Sequence, residues 1–299
     1  KDSVETQTPR AARSFAFNTR RPQFADRRVR EALGYLFDFP WINQNLLNGQ
    51  YERTTSYFQG SELASTGRPA SDAERALLAP YPDAVRPDIL DGTWAPPKGD
   101  GSGRDRANMR TALSLFQDAG YVIRNGQLVD ETTGAPFAFE ILVATREDER
   151  LALAYKRLAK PIGVTVNVRY VDSAQYQSRL QTFDFDVIRA IWRSSLSPGN
   201  EQLFRWSSAA AKATGSFNFT GAADPAIDAM IQAMLAADTR PQFVDAVRAL
   251  DRVLLSGFYG LPLYNSPDQW IGRWARIRRP EASSLSGAEP DTWWAAPAR

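Results

Sequence analysis

Residues 164–192 read VTVNVRYVDSAQYQSRLQTFDFDVIRAIW. Apolar side chains in residues 164–170 alternate with polar ones, which is typical of a strand with one buried face. Residues 173–181 then predict a short helix, and residues 184–192 predict a second, more apolar strand. A strand, a helix and another strand in this order indicate an α/β fold.

Regular elements are also predicted before this unit. Residues 109–116 have helical spacing, and Gly120 ends that helix. Residues 137–143 predict a strand, and residues 149–162 predict a helix. Strands and helices therefore alternate over this part of the chain, which extends the α/β pattern.

Helix-start signals dominate the region after the unit. Asp224 followed by Pro225 is an N-cap with proline in the first helical position. Thr239 and Gln242 have the spacing of a capping box and predict the next helix. Residues 261–264 (LPLY) predict a final short strand.

The amino-terminal part predicts a strand followed by a helical region. Residues 13–19 alternate around two phenylalanines, which indicates a strand. Asp26 can cap a helix that Pro40 interrupts, and a further turn or two extends to Leu47. Beyond this region, one short helix is predicted near residues 73–78.

Residues 61–103 are rich in Pro, Gly, Asp and Ser and predict a long irregular segment of the kind that is often functional. The glycines of residues 99–103 do not follow an apolar strand, so an ordinary loop is favoured over a phosphate-binding loop. Asp100, Ser102 and Asp105 suggest a calcium loop, but the ligand spacing and the terminal Glu of such loops are missing. We therefore predict no metal and no cofactor.

Composition excludes many kinds of chemistry. The 299 residues contain no histidine and no cysteine. Histidine bases, Ser-His-Asp triads, thiol nucleophiles and disulfides are therefore impossible. An enzyme would depend on carboxylates, lysine or tyrosine. Asp184 and Asp186 lie on one face of the second strand, which leaves a carboxylate-dependent hydrolase such as a glycosidase open as an alternative.

Charge gives no strong argument for a nucleic-acid partner. The net charge is only +2. The basic residues among the first thirty are interleaved with Phe15, Phe17 and Phe24, so they favour an arginine-rich surface on a folded element over a nucleic-acid-binding arm. Residues 1–13 are polar and basic and lack the pattern of a signal peptide. No apolar run approaches the roughly 18–20 residues that span a bilayer.

Several short motifs occur in a definite order along residues 15–264. They are FNT at 17–19, FADRRVREAL at 24–33, ALSLFQDAGY at 112–121, IGVTVNV at 162–168, Tyr176, FDFDV at 183–187, DPAIDAMI at 224–231, DRVLL at 251–255 and LPLY at 261–264. Together they resemble the bacterial extracellular solute-binding proteins of family 5, the dipeptide and oligopeptide receptors of ABC importers. Residues 38–48, 101–106 and 197–202 resemble the branch that includes receptors for microcin C and oligopeptides.

The resemblance implies a periplasmic binding protein-like fold with two α/β lobes that close on a peptide or peptide-like ligand, with no catalysis. It covers the carboxyl-terminal half of that family. We therefore expect residues 1–19 to be a connecting strand from the first lobe, residues 20–260 to form the ligand-binding lobe, and residues 261–299 to return and pack into the first lobe. The expected partners are the amino-terminal half, as a separate chain or missing segment, and an inner-membrane ABC permease.

The resemblance also predicts a ligand site, because in this family the strand that ends at Trp192 borders the cleft. The predicted ligand-binding residues are Tyr57, Arg179, Arg189, Ile191, Trp192, Arg193, Ser194, Ser195, Ser197, Asn200 and Glu201. The backbone of residues 191–193 is expected to pair with an extended peptide as an added strand. Residues 194–206 show no helix signal, and the alternative is that residues 194–202 only turn the chain.

One departure from the family concerns the ligand's amino end. Peptide-binding relatives place an aspartate shortly after this tryptophan, where it pairs with the α-ammonium group, but this chain has Ser195. Either Glu201 or an acid of the other lobe replaces that aspartate, or the ligand's amino end is blocked or placed differently. Arg179, Arg189 and Arg193 are candidates for binding a ligand carboxylate or phosphate.

Overall fold

A mixed five-stranded sheet runs through the centre of the protein, whose computed structural model describes residues 2–297. The strands are β1 Asp2–Val4, β2 Ala12–Phe17, β3 Glu52–Arg53, β4 Tyr121–Arg124, β5 Gln127–Asp130, β6 Ala138–Val143, β7 Thr165–Tyr170, β8 Val187–Trp192, β9 Gly260–Pro262, β10 Tyr264–Asn265, β11 Gln269–Ile271, β12 Ile277–Arg278 and β13 Trp294–Ala295. The helices are α1 Arg27–Tyr35, α2 Phe39–Leu46, α3 Asp72–Leu78, α4 Pro87–Leu90, α5 Arg106–Asp118, α6 Arg146–Ala159, α7 Ser173–Gln181, α8 Glu201–Trp206, α9 Ser208–Lys212, α10 Pro225–Leu235 and α11 Arg240–Ser256.

The central sheet has the strand order β7-β6-β8-β2-β9. Strands β6, β7 and β8 are parallel, whereas β2 is antiparallel to both of its neighbours, β8 and β9. Parallel neighbours need long crossover connections, and α6 and α7 provide them. The other strands form the pairs β1-β11, β3-β10, β4-β5 and β12-β13. This arrangement confirms the predicted α/β fold.

Two apolar cores lie on opposite faces of the sheet. Side chains of β8 alternate between them: Ile188, Ala190 and Trp192 pack into one core, and Val187 packs into the other. The first core contains the buried faces of α10 and α11 and is called the α11-side core below. The second contains those of α1 and α6 and is called the α6-side core. Because both faces are covered, the middle strands are apolar on both sides.

The predicted helix starts are confirmed. The Asp26 carboxylate accepts a hydrogen bond from the Arg28 N–H at 2.8 Å, and α1 follows it. Asp224 caps α10 in the same way, with proline in the first turn. Thr239 and Gln242 exchange the two hydrogen bonds of a capping box at the start of α11. These signals are reliable because both partners lie within one turn of the chain.

Other element predictions are corrected by the structure. Residues 201–206 form the helix α8, because Gln202 and Trp206 are buried one turn apart and this burial compensates for a weak local signal. The irregular region contains a second short helix, α4, beside the predicted α3. Strand β8 begins at Val187, not at residue 184, because the Asp186 carboxylate instead accepts a hydrogen bond from the Glu140 N–H at 2.9 Å.

The predicted LPLY strand is divided between two sheets. Strand β9 ends at Pro262, which has no N–H to donate to a ladder. The Leu263 N–H still donates to the Arg13 carbonyl at 2.8 Å, and Tyr264 then pairs with Arg53 in β3. The chain therefore leaves the central sheet immediately after β9.

The long irregular segment is fixed by two neighbouring buried residues of α11. The fully buried Asp251 carboxylate accepts hydrogen bonds from the Ser56 hydroxyl, the Tyr57 N–H and both donors of Ser65, at 2.7–3.0 Å. The next residue, Arg252, forms a buried ion pair with Glu74 at 2.6 Å. These bonds satisfy the polar groups that the segment brings into the interior.

The carboxyl-terminal tail is only partly covered by the rest of the chain. Tyr264 is buried, and Tyr51 packs edge-on against both Tyr264 and Trp270. Trp274 is 77% exposed and Trp294 is 52% exposed. That the tail packs into another lobe stays a prediction. Trp274 and Trp294 are the large apolar side chains of the tail that such a contact would cover.

Candidate functional site

The carboxyl ends of β6, β7 and β8 meet at one edge of the sheet, called the carboxyl edge below. The chain leaves β6 towards α6 on one face, and it leaves β8 towards α8 on the other. Neighbouring parallel strands whose connections diverge in this way form a crevice at their carboxyl ends. In open α/β sheets this is the usual position of a ligand.

Strand β8 extends beyond its neighbour β6 at this edge. Pairing between the two strands ends at Ile188, which lies opposite Leu142. The last four residues of β8 therefore have no strand partner on that side among residues 2–297. On the other side, β2 continues to pair with β8 as far as Trp192. On the side where β6 ends, residues 189–192 of β8 thus form an open strand edge.

The register shows which backbone groups face this open edge. Arg13 lies opposite Ile191, and the Arg13 carbonyl accepts a hydrogen bond from Leu263 on the far side of β2. In antiparallel pairs, two opposite residues either bond to each other or both point away. The N–H and C=O of Ile191 therefore point away from β2, into the space where β6 has ended.

Trp192 and Tyr57 lie behind this edge in the α11-side core. Trp192 is only 5% exposed, and its ring centroid lies 5.0 Å from that of Trp206 and 5.5 Å from that of Tyr57. Tyr57 is also buried, and its ring meets Trp206 edge-on at 5.1 Å. Both were predicted as ligand-binding residues, but their side chains face the core of this chain.

Arg189, Ile191 and Arg193 share the opposite face of the strand. Arg189 forms an ion pair with Asp148, at the start of α6, and contacts Glu147 at 3.4 Å. Burial alone would lower the pKa of Arg189, but the two acids outweigh that effect and raise it above its ordinary value. Arg189 therefore already has its anionic partners within this chain.

Arg13 is a residue of this face that the sequence interpretation missed. It is half-buried and lies opposite Ile191, with Arg189 of β8 on one side of that pair and Arg193, directly after β8, on the other. Burial lowers the pKa of the Arg13 guanidinium, and repulsion from Arg189 lowers it further. Within residues 2–297, no carboxylate lies at ion-pair distance from Arg13 or from Arg193. Only the cross-strand register reveals this cluster.

Two arginines hold the loop between β8 and α8. The Arg193 carbonyl accepts a hydrogen bond from Arg205 of α8 at 2.7 Å, and the Leu196 carbonyl accepts one from Arg240 of α11 at 2.7 Å. The Ser195 hydroxyl accepts a bond from the Ser197 N–H at 3.1 Å. The loop therefore has a fixed conformation, while the side chains of Arg193, Ser195 and Ser197 remain exposed.

Glu201 uses its carboxylate within this loop. Both carboxylate oxygens accept hydrogen bonds from the Gly199 N–H, at 3.0 and 2.9 Å, and Gln202 donates to one of them at 3.2 Å. Asn200 is exposed beside it, and Ser194 is half-exposed. The carboxylate thus stabilises the turn into α8.

Arg179 is not part of the carboxyl edge. It lies near the end of α7 and forms ion pairs with Glu140 at 3.0 Å and with Asp184 at 3.2 Å. Asp184 and Asp186 also pair with Arg21, at 3.0 and 3.2 Å. The two acids of the proposed hydrolytic pair are therefore bound to arginines at the other end of β8.

Residues 2–297 contain neither a cluster of acidic metal ligands nor a membrane-spanning helix. No group of three or more acidic side chains within residues 2–297 is placed to hold a metal ion. Asp100 and Asp105 instead accept hydrogen bonds from neighbouring backbone N–H groups. None of the helices in this range has both the length and the apolar composition that crossing a membrane requires.

Comparison with known proteins gives a consistent result. The family described as bacterial extracellular solute-binding proteins, family 5 Middle, matches residues 1–214. A protein of Brucella melitensis is 56% identical over 294 residues, which is 98% of this chain and 48% of that protein. The peptidoglycan-binding protein YepA of Agrobacterium fabrum is 45% identical over 294 residues, with the same coverage of 98% and 48%.

A solved structure supports the fold. The oligopeptide-binding protein AppA from Bacillus subtilis, determined in complex with a nonapeptide, superposes with a TM-score of 0.66 at 17% identity. The alignment covers 98% of this chain and 52% of AppA. The protein therefore has the α/β fold of periplasmic binding proteins, and the chain spans about half the length of the curated relatives it matches.

Proposed function

Because the chain belongs to the bacterial extracellular solute-binding proteins of family 5, we propose that it is the carboxyl-terminal portion of an ABC-importer receptor. The receptor captures peptides or peptide-like compounds in the periplasm and delivers them to an inner-membrane permease. The name of the relative YepA, which describes peptidoglycan binding, supports a ligand of this class. Catalysis forms no part of this function.

The open edge of β8 is the observation that carries the proposal. An extended peptide can add to an unpaired strand edge through main-chain hydrogen bonds. Ile191 presents an N–H and a C=O to that edge, whereas the Arg193 carbonyl just beyond it already accepts a hydrogen bond from Arg205. Trp192 and Tyr57 then act indirectly, because they hold the strand and the loop from the core behind them.

The ligand is enclosed, in this proposal, between this chain and the part of the protein that its relatives have in addition. Residues 20–260, with β2 and β9 completing their central sheet, form the lobe that bears the carboxyl edge, and the tail after β9 packs against the other lobe. Trp274 and Trp294, which expose large apolar rings, contribute to that contact. Peptide capture therefore needs both parts.

A proline substitution at Ile191 tests the strand-addition mechanism. Proline removes the N–H that faces the open edge, and the register shows that this N–H takes no part in the β2 ladder. The full-length product of the gene that carries this chain is titrated calorimetrically with a pool of unmodified peptides of two to six residues. Ile191→Pro is expected to weaken binding by roughly tenfold or more, since it removes at least one main-chain hydrogen bond.

Ile191→Ala is the matched control, because it shortens the same side chain and keeps the N–H. Thermal unfolding of both variants shows whether the sheet is intact. Equal affinity in Ile191→Pro and Ile191→Ala would contradict strand addition at this edge. Failure of the unsubstituted protein to bind any peptide in the pool would contradict the receptor function itself.

A further inference from the structure

The carboxyl edge has an excess of cationic groups over available acids. Three arginines lie close together there: Arg189 on β8, Arg193 directly after the end of β8, and Arg13 between them on β2. Arg189 is neutralised by Asp148 and Glu147. Arg13 and Arg193 have no carboxylate at ion-pair distance within residues 2–297, and Arg13 is half-buried. A partly desolvated guanidinium without a counter-charge is costly and is stabilised when an anion binds beside it.

The acids near this edge are already used within the chain. Asp148 and Glu147 face Arg189, and Glu201 accepts hydrogen bonds from the turn that starts α8. Ser195, at the exposed part of the loop, carries no charge. This edge therefore offers cations to a ligand and no uncommitted carboxylate to a ligand's ammonium group.

From this arrangement we propose that the carboxyl edge recognises a carboxylate of the peptide ligand, through Arg13 and Arg193. This inference rests on the proposed function and specifies which chemical group of the ligand enters the site. A peptide added along the open side of β8 would place its carboxylate over the face that Ile191 shares with the two arginines. A free amino end is not required at this edge.

Both arginines can reach such a group without rearrangement of the sheet. Arg193 is exposed where β8 passes into the loop, and Arg205 fixes its backbone by a hydrogen bond to its carbonyl. Arg13 is held opposite Ile191 by pairing on both sides of β2. The planar guanidinium group of an arginine matches the geometry of a carboxylate better than the ammonium group of a lysine would.

Peptides with blocked ends test this proposal in the full-length protein. Calorimetric titrations use pools of peptides of two to six residues that lack Asp and Glu, in three forms: unmodified, N-acetylated and C-amidated. We expect the N-acetylated pool to bind like the unmodified pool and the amidated pool to bind roughly 10- to 100-fold more weakly, since it lacks the charge-assisted hydrogen bonds. An amidated pool that contains Asp and Glu determines whether a side-chain carboxylate can replace the terminal one.

Variants connect the effect to the two arginines. Arg13→Gln and Arg193→Gln are each expected to reduce the preference for free-acid over amidated peptides by about tenfold, and Arg13→Lys to retain part of it. Arg104→Gln, at an exposed arginine in the loop before α5, is the matched control and should leave the preference unchanged. The thermal unfolding midpoint of each variant shows that it is folded.

The possible outcomes separate the two proposals. Equal binding of amidated and free-acid pools, when neither pool contains Asp or Glu, overturns the carboxylate proposal and leaves the receptor function standing. Loss of binding on N-acetylation alone also overturns it, since the ligand would then be held by its ammonium group. If both Gln variants keep the full preference for free-acid over amidated peptides, Arg13 and Arg193 are not part of the site. Absence of binding by every pool overturns the receptor function and the inference with it.

Discussion

Replacement of Trp192 by alanine should affect folding more than it affects ligand binding. The indole ring is 5% exposed and lies on the core side of β8, against Trp206 and Tyr57. In the proposed receptor, the groups of the strand that face the ligand are the backbone of Ile191 and the side chains of the other face. This placement reverses the expectation that a tryptophan at the end of this strand is chiefly a ligand contact.

The size of the effect follows from the buried surface. A buried aromatic side chain of this size removes about 150–250 Å² from water, which corresponds to roughly 4–6 kcal/mol at about 25 cal/mol per Å². Unfolded chains already bury part of that surface, so the expected loss in the free energy of unfolding is about 3–5 kcal/mol. That is a large fraction of the roughly 5–15 kcal/mol by which native proteins are stable.

Urea unfolding of the full-length protein, followed by far-UV circular dichroism, measures this loss. Ile191→Ala is the matched control: its side chain is 43% exposed on the opposite face, so its cost should stay below about 1 kcal/mol. Peptide affinity is then measured for the folded fraction of each variant. The reasoning is refuted if Trp192→Ala unfolds within about 1 kcal/mol of the unsubstituted protein with the same m value, or if the control costs as much.

Four further predictions concern the interior, the tail and catalysis. Burial raises the pKa of Asp251 above its ordinary value, so the contribution of Asp251 to stability is greatest below about pH 3.8 and is lost as the pH rises through the pKa of the folded state. In denaturant unfolding, the stability advantage of the unsubstituted protein over Asp251→Asn should therefore shrink with rising pH. A difference that stays constant with pH would contradict this. Glu74→Gln leaves the cation of Arg252 unpaired in the core and should cost about 3–5 kcal/mol, whereas the double variant Glu74→Leu with Arg252→Met should recover most of that loss in thermal unfolding. Trp274→Ser should change stability by less than about 0.5 kcal/mol in this chain alone but should weaken its association with the remaining part of the protein, as measured by sedimentation. Incubation of the full-length protein with the peptide pools should release no cleavage products by mass spectrometry, and turnover that disappears in Glu201→Gln would contradict the receptor function.

Local signals in the sequence predicted much of the secondary structure. The capping box at Thr239 and the Asp224–Pro225 start succeeded because their hydrogen bonds join residues within one helical turn. Helix α8 was missed for the opposite reason. Its local signal is weak, and it forms because Gln202 and Trp206 are buried against α10 and the rest of the α11-side core. Propensity within the segment cannot report that burial.

The candidate site shows the same division between local and long-range information. The site residues between 189 and 201 were selected because the family resemblance places the strand that ends at Trp192 beside the ligand cleft. The pattern of apolar residues alone does not show on which face of β8 each side chain lies, since both faces are covered by cores. Arg13 lies far away in the sequence and joins the site only through its register with Ile191.

Helix α11 explains how an open strand edge can be kept ready for a ligand. Arg240 donates to the Leu196 carbonyl in the loop after β8, and Arg248 donates to the Glu62 carbonyl in the long irregular segment. The Asp251 carboxylate accepts a hydrogen bond from the N–H of Tyr57, shortly before that segment, and the Tyr57 ring packs against Trp192. The loop and the support behind the strand are thus fixed to one buried helix. Fewer groups need to be ordered when a peptide binds, so more of its hydrogen-bond energy is available for affinity. On this argument, loosening α11 at Asp251 should weaken peptide binding even though Asp251 is fully buried, because more of the loop must then be ordered when the peptide binds and not because a ligand contact is lost.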